Sequence, residues 1–211
     1  MIGMDYGYLG RELDATPIFC AKDQKHRWFY GLALPSKGVG EWSCAAVCEM
    51  LRLAGHARMV LRSDSEPAMK NFKAELGKRL TKEHGQEIVP EDALTGSTSS
   101  ASNGLGEHAV RELKAKICTM KSAVDHFLGY KVPAASAALS WLPGFAAMTI
   151  NVKRRGQDGR TAWEMRHGRR CNQNFLRFGE HIMWLRYDRQ RGNDSAWVHG
   201  CYLGPAQSSN N

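Results

Sequence analysis

The spacing of apolar residues changes period along the first half of the chain. Apolar stretches at 2–9, 16–21 and 27–34 are separated by polar or Pro/Gly-containing segments, which is typical of three successive strands. From residue 41 the apolar positions instead follow one helix face, at 44, 47, 48, 51 and 54. A strand at 57–62, a helix at 67–80 and a short strand at 87–89 are predicted next. This order predicts an α/β fold with a mixed five-stranded sheet flanked by helices.

The second half of the chain is mainly helical in its pattern. Small polar residues between Asp92 and Asn103 predict a mobile loop. Helices are expected at about 104–127, from Pro133 to about Ile150, and over 161–167, followed by strand-like stretches at 182–185 and 197–203. We therefore expect a core over 1–168 and a small β-rich C-terminal extension, an incomplete β module, over 169–211. We expect the tryptophans of this half to fill the core rather than stack on bases, namely Trp141, Trp163, Trp184 and Trp197.

Charge separates the two halves more sharply than hydrophobicity does. The 211 residues carry a net charge of +8. Residues 1–110 hold 13 Lys/Arg against 14 Asp/Glu, whereas residues 111–211 hold 16 against 7. A neutral half joined to a basic half indicates a body with an electrostatic footprint for a polyanion, and it favours nucleic acid over acidic lipid.

Other features exclude several classes of protein. No apolar run approaches the roughly 18 residues of a membrane-spanning helix, and the first residues lack the pattern of a signal peptide, so we expect neither a membrane protein nor a secreted one. The six cysteines are far apart and form no C-x-x-C pair. We therefore expect buried free thiols in a reducing compartment and no zinc site at Cys44 and Cys48.

Three acidic residues stand where a metal-dependent active site would be built. Asp5 lies inside the first predicted strand, Asp64 at the tip of the fourth, and Glu107 at the start of the long helix. If the first and fourth strands are neighbours, the two aspartates meet at the centre of the sheet and the helix brings Glu107 over them. Carboxylate oxygens suit Mg²⁺ or Mn²⁺, and two such ions can activate a nucleophile and stabilise a leaving oxygen in phosphodiester chemistry. Alternatively, Asp64 is an ordinary N-cap of the next helix.

Several segments resemble the integrases of retroelements, copia-type elements in particular. The entry to the long helix, Asn103-Gly104-Leu105-Gly106-Glu107, is similar to the family's asparagine-glycine, two residues, catalytic glutamate. Leu61-Arg62-Ser63-Asp64 and Met4-Asp5-Tyr6 stand in the places of its other two catalytic motifs. Downstream likenesses follow in the same order at 161–170, 175–179 and 200–204, so the resemblance covers nearly the whole chain.

The resemblance implies a fold, a chemistry and a setting. It implies an RNase H-like catalytic core whose Asp5, Asp64 and Glu107 bind two Mg²⁺ or Mn²⁺ ions. The implied reaction is 3′-end processing of DNA followed by strand transfer, performed on element ends and target DNA in the nucleus. Joining both ends of an element implies at least a homodimer. The zinc-binding N-terminal domain of the family is missing, so we expect a piece of a larger polyprotein.

The chain also departs from the family pattern. The 42 residues between Asp64 and Glu107 form a longer connection than is usual, Ser65-Glu66 replaces the common asparagine-glycine, and Ala162 replaces the usual proline. Two alternatives therefore remain beside the integrase. One is a catalytically inactive, integrase-derived DNA-binding module. The other is an RNase H-type nuclease, which the helix entry at Asn103 and its basic residues favour less.

Basic residues near the predicted site suggest how DNA would be held. Arg111 and Lys114 follow Glu107 at four and seven residues and share its helix face. Asn103 opens that helix, and Lys153, Arg154 and Arg155 form a compact basic cluster further on. We predict that Asn103 and these five basic residues contact DNA, and that the basic residues do so through phosphates. The alternative for each is a solvated surface residue.

Overall fold

The computed structural model describes residues 1–10, 15–92, 103–185 and 197–205, and all structural statements refer to these ranges. The first half contains three strands, two helices and two more strands, which are β1 (Ile2–Leu9), β2 (Thr16–Asp23), β3 (Phe29–Ala33), α1 (Glu41–Arg52), β4 (Arg58–Ser63), α2 (Pro67–His84) and β5 (Glu87–Asp92). The second half contains α3 (Gly104–Leu128), a 3-10 helix (Ala137–Trp141), α4 (Leu142–Lys153), α5 (Ala162–His167), β6 (His181–Leu185) and β7 (Trp197–Cys201).

The sheet has the strand order β3-β2-β1-β4-β5. β1 pairs antiparallel with β2 and parallel with β4, and β4 pairs parallel with β5. This confirms the predicted α/β class with a mixed five-stranded sheet flanked by helices. The first and fourth strands are neighbours, as the placement of the two aspartates required.

Side chains of β1 alternate between two apolar cores, one on each face of the sheet. Ile2, Met4 and Tyr6 belong to the core that α1 and α2 cover. Leu9 belongs to the opposite core, which α3 and α4 cover and which includes Leu113. Because successive residues of a strand point to opposite faces, Gly3, Asp5 and Gly7 also face α3.

The helix predicted from Pro133 to Ile150 is wrong at its start. The chain forms a 3-10 helix first, and the α-helix begins only at Leu142 and continues to Lys153. Pro143 lies in the first turn of α4, where its missing N–H leaves no helical hydrogen bond unmade. A proline in the middle of a helix would break it, so one continuous helix was excluded.

The C-terminal strands β6 and β7 form a separate antiparallel sheet, which agrees with the predicted β-rich extension. Phe178 and Tyr202 on either side of it pack against Phe145 of α4, with ring centroids 5.4 and 6.1 Å apart. The boundary after residue 168 stays a prediction. A sheet of two strands, such as β6 and β7, is too small to be stable by itself and needs packing against other elements.

The tryptophan prediction is wrong for three of its four residues. Only Trp163 is buried, at 8% exposed, whereas Trp141, Trp184 and Trp197 are 62%, 47% and 54% exposed. The cysteines are free thiols, but Cys118 and Cys201 are exposed rather than buried. Among the described residues, no helix has the length and apolar character needed to cross a membrane. Most of the loop predicted to be mobile, 93–102, lies outside the described ranges.

Candidate active site

The strand register brings the two predicted catalytic aspartates side by side. In the parallel β1–β4 pair, Ile2 lies opposite Leu61 and Gly3 opposite Arg62. Continuing this register by two residues places Asp5 opposite Asp64, which directly follows β4. Neighbouring strands are about 4.8 Å apart, so the two backbones are adjacent at this point.

Two glycines let the first turn of α3 lie directly on β1. A Cβ at Gly106 would be 2.8 Å from the carbonyl oxygen of Met4, and a Cβ at Gly3 would be 2.7 Å from the Cβ of Leu105. These distances are shorter than real Cβ contacts, so only glycine permits the observed approach. Since Glu107 is the next residue of that turn, this contact fixes its backbone beside Asp5.

Asp5 lies between two glycines on the strand face that α3 covers. A Cβ at Gly7 would be 3.4 Å from Val110 and 3.7 Å from the aliphatic chain of Lys114. With Gly3 beneath the first turn of α3 and Gly7 beneath the second, Asp5 faces the helix where Glu107 begins it. The small residues on both sides leave room for the carboxyl group.

Burial and the neighbouring carboxylates both affect the ionisation of Asp5. Burial is the largest cause that raises the pKa of Asp5 from 3.8 to about 6. A hydrogen bond of 2.7 Å from the Tyr6 N–H to Asp5 Oδ1 opposes that shift. The negative charges of Asp64, Glu107 and Glu66 raise the pKa further. Each of these carboxylates is therefore close enough to disfavour ionisation of Asp5.

The three carboxylates do not form one compact group of ligand atoms. Among the described residues, the group whose ligand atoms all lie within 4.8 Å of one another is Asp23, His26 and His56. The oxygens of Asp5, Asp64 and Glu107 do not meet this condition. Within the described ranges, none of the three lies within 4.0 Å of a Lys, Arg or His nitrogen as an ion pair. Acidic groups without a cationic partner among the described residues, in a chain of net charge +8, form a donor set suited to hard divalent cations.

Comparison with known proteins places this geometry in a known architecture. No protein-family model matches the chain, and no curated protein matches its sequence. Among solved structures, the catalytic core domain of BIV integrase aligns with a TM-score of 0.50 at 18% identity, over 78% of this chain and 91% of that one. The HTLV-2 integrase catalytic core domain in complex with magnesium, in a dimeric form, aligns with a TM-score of 0.52 at 14% identity, over 79% and 94%. This chain has the fold of an integrase catalytic core.

One chain of a larger assembly has a similar fold. A chain of the simian T-cell lymphotropic virus intasome in complex with PP2A regulatory subunit B56 gamma aligns with a TM-score of 0.59 at 13% identity, over 95% of this chain and 66% of that one. At such identities the likeness shows the fold alone. The RNase H-like fold is confirmed, and the matches are to retroviral integrases. The copia-type assignment stays a prediction.

A fourth carboxylate, which the sequence analysis missed, lies beside the three predicted ones. Glu66, two residues after Asp64, precedes α2 and accepts hydrogen bonds of 2.8 and 3.1 Å from Lys37 Nζ. Its backbone N–H donates to Asp64 Oδ1 at 3.3 Å. Because Lys37 neutralises Glu66, that carboxylate is already partnered, unlike Asp5. Only the pairing of the segment at Lys37 with the start of α2 reveals this, and such a contact has no local sequence signal.

The predicted DNA-binding cations lie in two different places, one on α3 and one at the end of α4. Arg111 and Lys114 are exposed on the face of Glu107. Lys153 and Arg154 instead line a groove of about 420 Å³ between α3 and α4, with Glu112 and Lys116 on its other wall.

Two of the arginines in the basic cluster are already partnered. Arg154 forms an ion pair with Glu112. Arg155 hydrogen-bonds the Gly159 carbonyl and lies 3.7 Å from Glu164. The structure therefore does not bring the basic cluster onto the helix face that Glu107, Arg111 and Lys114 share.

Asn103 is buried rather than exposed. It is 3% exposed, and its Oδ1 is 2.8 Å from the position of a Cβ at Gly106. Among the described residues, that oxygen has no hydrogen-bond partner. In this conformation the side chain packs over the first turn of α3 and is not presented to a DNA backbone.

The raised pKa of Asp5 predicts that Asp5→Asn stabilises the metal-free protein. The folded pKa of about 6 exceeds the ordinary 3.8, so the folded state loses stability as pH rises from about 4 to about 6. An uncharged amide avoids this loss and keeps the acceptor for Tyr6. We expect a gain of about 1 kcal/mol at pH 7.5, allowing for solvent screening, or roughly 3 °C in Tm, shrinking toward pH 4. Thermal unfolding in chelator measures it, and an equal gain at both pH values would contradict this cause.

Proposed function

We propose that this chain is an integrase catalytic core that performs metal-dependent 3′-end processing and strand transfer of DNA, as a polynucleotidyl transferase of a retrotransposon. The observation that carries the proposal is the convergence of Asp5, Asp64 and Glu107. Burial is the main cause that raises the pKa of Asp5, and the negative charges of Asp64 and Glu107 raise it further. The register of β1 with β4 and the close contact between Gly3 and Gly106 explain that convergence.

Asp5, Asp64 and Glu107 would hold two Mg²⁺ or Mn²⁺ ions. Their oxygens are hard ligands. Among the described residues, no Lys, Arg or His nitrogen lies within ion-pair distance of these three carboxylates. When bound, the metal ions supply activation of the attacking oxygen and stabilisation of the leaving one. The HTLV-2 integrase catalytic core domain was solved in complex with magnesium, which supports the choice of ion. The contribution of the chain is to position oxygen ligands from two adjacent strands and one helix turn.

DNA would lie along the exposed face of α3 that begins at Glu107. Arg111 and Lys114 continue that face for two turns, so phosphates beside the carboxylates would meet cations at regular spacing. Lys153 and the ion-paired Arg154 would contact a different stretch of backbone. Arg154 should contribute less than an unpaired arginine because Glu112 already offsets its charge.

Salt dependence tests which face of α3 binds DNA. We expect the double variant Arg111→Ala, Lys114→Ala to lower the slope of log K against log [salt] by about two. Fluorescence anisotropy with a labelled duplex at several salt concentrations measures the slope. The matched control is Lys78→Ala, Lys82→Ala, which removes two exposed lysines one helix turn apart on α2. Equal slopes for both double variants would assign Arg111 and Lys114 to ordinary solvated surface.

The assembly and setting belong to the same proposal. We propose at least a homodimer, acting on element ends and target DNA in the nucleus, as one part of a copia-type polyprotein. Support for self-association comes from the HTLV-2 integrase core, which was solved in dimeric and trimeric forms, and from the intasome that shares this fold. The nuclear setting is inferred only from the chromosomal target that strand transfer requires.

A disintegration assay tests the reaction itself. The wild-type chain is incubated with a labelled branched oligonucleotide and Mg²⁺ or Mn²⁺, and the joined product is resolved on a gel. Product that forms only with the divalent ion supports the integrase. Hydrolysis of the RNA strand in a hybrid, without DNA joining, would identify an RNase H-type nuclease instead. DNA binding without either reaction would identify an inactive integrase-derived module.

A further inference from the structure

A second group of potential metal ligands lies on the other face of the sheet from Asp5. Asp23 ends β2 and pairs with Ile2, which faces the core covered by α1 and α2. His26 follows in the turn between β2 and β3, and His56 lies between α1 and β4. Ligand atoms of these three residues all lie within 4.8 Å of one another. The group is therefore separate from the carboxylates on the α3 face.

Both histidines direct a ring nitrogen at the same carboxylate oxygen. Asp23 Oδ2 is 2.8 Å from His26 Nδ1 and 3.0 Å from His56 Nε2. The two imidazole rings stack with their centroids 5.1 Å apart and their planes 2° from parallel. A tetrahedral zinc ion with bonds of about 2.0–2.1 Å needs ligand atoms about 3.3 Å apart. The observed oxygen–nitrogen distances therefore need to open by only a few tenths of an ångström.

Hydrogen bonds fix the scaffold around the three ligands, and the shared oxygen itself also accepts the His26 backbone N–H at 3.3 Å. Asp23 Oδ1 accepts the Lys25 N–H at 3.0 Å, and the Asp23 N–H donates to the Trp28 carbonyl at 2.8 Å. Gln86 Nε2 donates to the His56 carbonyl at 2.8 Å. Asp23 is 1% exposed, while the side chains of His26 and His56 are 17% and 13% exposed. A small ion can reach the site past the histidine edges, whereas the carboxylate is shielded from bulk water.

We propose that Asp23, His26 and His56 form a binding site for a divalent transition-metal ion, with zinc as its representative. Two imidazoles and one carboxylate are nitrogen-rich ligands that suit transition metals and not Mg²⁺. Three protein ligands leave a coordination position for water. The bound ion would tie the β2–β3 turn to the connection between α1 and β4. Its role would be to stabilise the end of the sheet remote from Asp64, independently of the reaction proposed above.

Zinc binding to the full chain tests this site. Chelator-treated protein is titrated with ZnCl₂ by calorimetry, in excess Mg²⁺ to occupy the carboxylates. Every protein in this titration carries His181→Gln and His199→Gln. Those exposed histidines offer another zinc site, since His181 Nε2 lies 2.9 Å from His199 Nδ1. We expect one zinc ion to bind per chain. At a free zinc concentration 100 times Kd, Tm should rise by roughly 5–10 °C. His26→Gln and His56→Gln should each weaken binding by roughly 100-fold, whereas the exposed His84→Gln should not.

A second measurement needs no change at the site itself. Zinc should protect His26 and His56 of the wild-type chain from diethyl pyrocarbonate, as read by mass spectrometry of peptides, while His84 stays reactive. No protection at these two histidines would overturn the proposal. Binding of unchanged affinity in the His26→Gln and His56→Gln variants would overturn it as well.

Discussion

Replacing Asp64 with asparagine is expected to reduce metal-dependent strand joining by roughly 10³-fold, equivalent to about 4 kcal/mol of transition-state stabilisation. Asparagine keeps the oxygen that accepts the Glu66 N–H at 3.3 Å, so the turn before α2 should be preserved. What is lost is the negative charge beside Asp5, and with it a ligand for the divalent ions. The disintegration assay described above measures the rate, with circular dichroism as the check on folding.

A carboxylate far from the site provides the matched control. Glu83 is exposed on α2, and Glu83→Gln, like Asp64→Asn, replaces a carboxylate with an amide of nearly the same size. That variant should retain wild-type activity. The N-cap of α2 is Glu66, so the alternative that Asp64 is the N-cap is wrong. If Asp64→Asn is folded and equally active, Asp64 is not a metal ligand, and its role is only to accept the Glu66 N–H in the turn before α2.

Gly106→Ala is expected to destabilise the fold by about 2 kcal/mol and to inactivate the site at the same time. The added methyl group would lie 2.8 Å from the Met4 carbonyl oxygen and 2.8 Å from Asn103 Oδ1, so α3 must move away from β1. Overpacking of this kind costs about 1–3 kcal/mol, and here backbone rather than a flexible side chain resists it. The displaced turn carries Glu107, which would then lie further from Asp5.

Gly104→Ala separates this clash from the general effect of adding alanine to a helix. Gly104 lies in the same first turn, but a Cβ there meets no atom within 4 Å. Alanine should therefore stabilise the helix slightly, by up to about 1 kcal/mol. We expect the two variants to differ by about 3 kcal/mol, or roughly 9 °C in Tm, in a thermal unfolding experiment. Similar Tm values would mean that α3 does not rest on β1 through Gly106.

The elements of the fold were predictable from sequence because their signals are local. A short apolar stretch marks β1, and a single apolar stripe marks α1, so both were predicted within a residue or two of their observed bounds. The short helix α5 also carries a local signature, since Thr161 and Glu164 form a capping box and Gly168 ends it with φ 68°. The start of α4 was missed because a proline breaks a helix at an interior position but is favourable in the first turn, where Pro143 lies.

The site was only partly predictable because its assembly depends on contacts between distant residues. Motif order placed Asp5, Asp64 and Glu107, but it could not reveal that Gly3 and Gly106 meet or that Lys37 neutralises Glu66. Burial of Asn103 was likewise invisible, since an asparagine before a helix is usually exposed as a cap. The cluster of Asp23, His26 and His56 spans a hairpin and a helix connection, and only folding brings it together.

The last strand of the large sheet limits how copies of the chain can associate. β5 is an edge strand, and Pro90 within it has no backbone N–H to offer an incoming strand. Its acidic side chains are committed to neighbours, Glu91 to Arg62 at 2.6 Å and Asp92 to the buried Lys73 at 2.5 Å. Pairing another strand here would forfeit a hydrogen bond and disturb these charges, a combination that discourages edge-to-edge aggregation. Self-association of this chain is therefore not expected to use β5, and this end of the sheet is a natural stop to β-sheet growth.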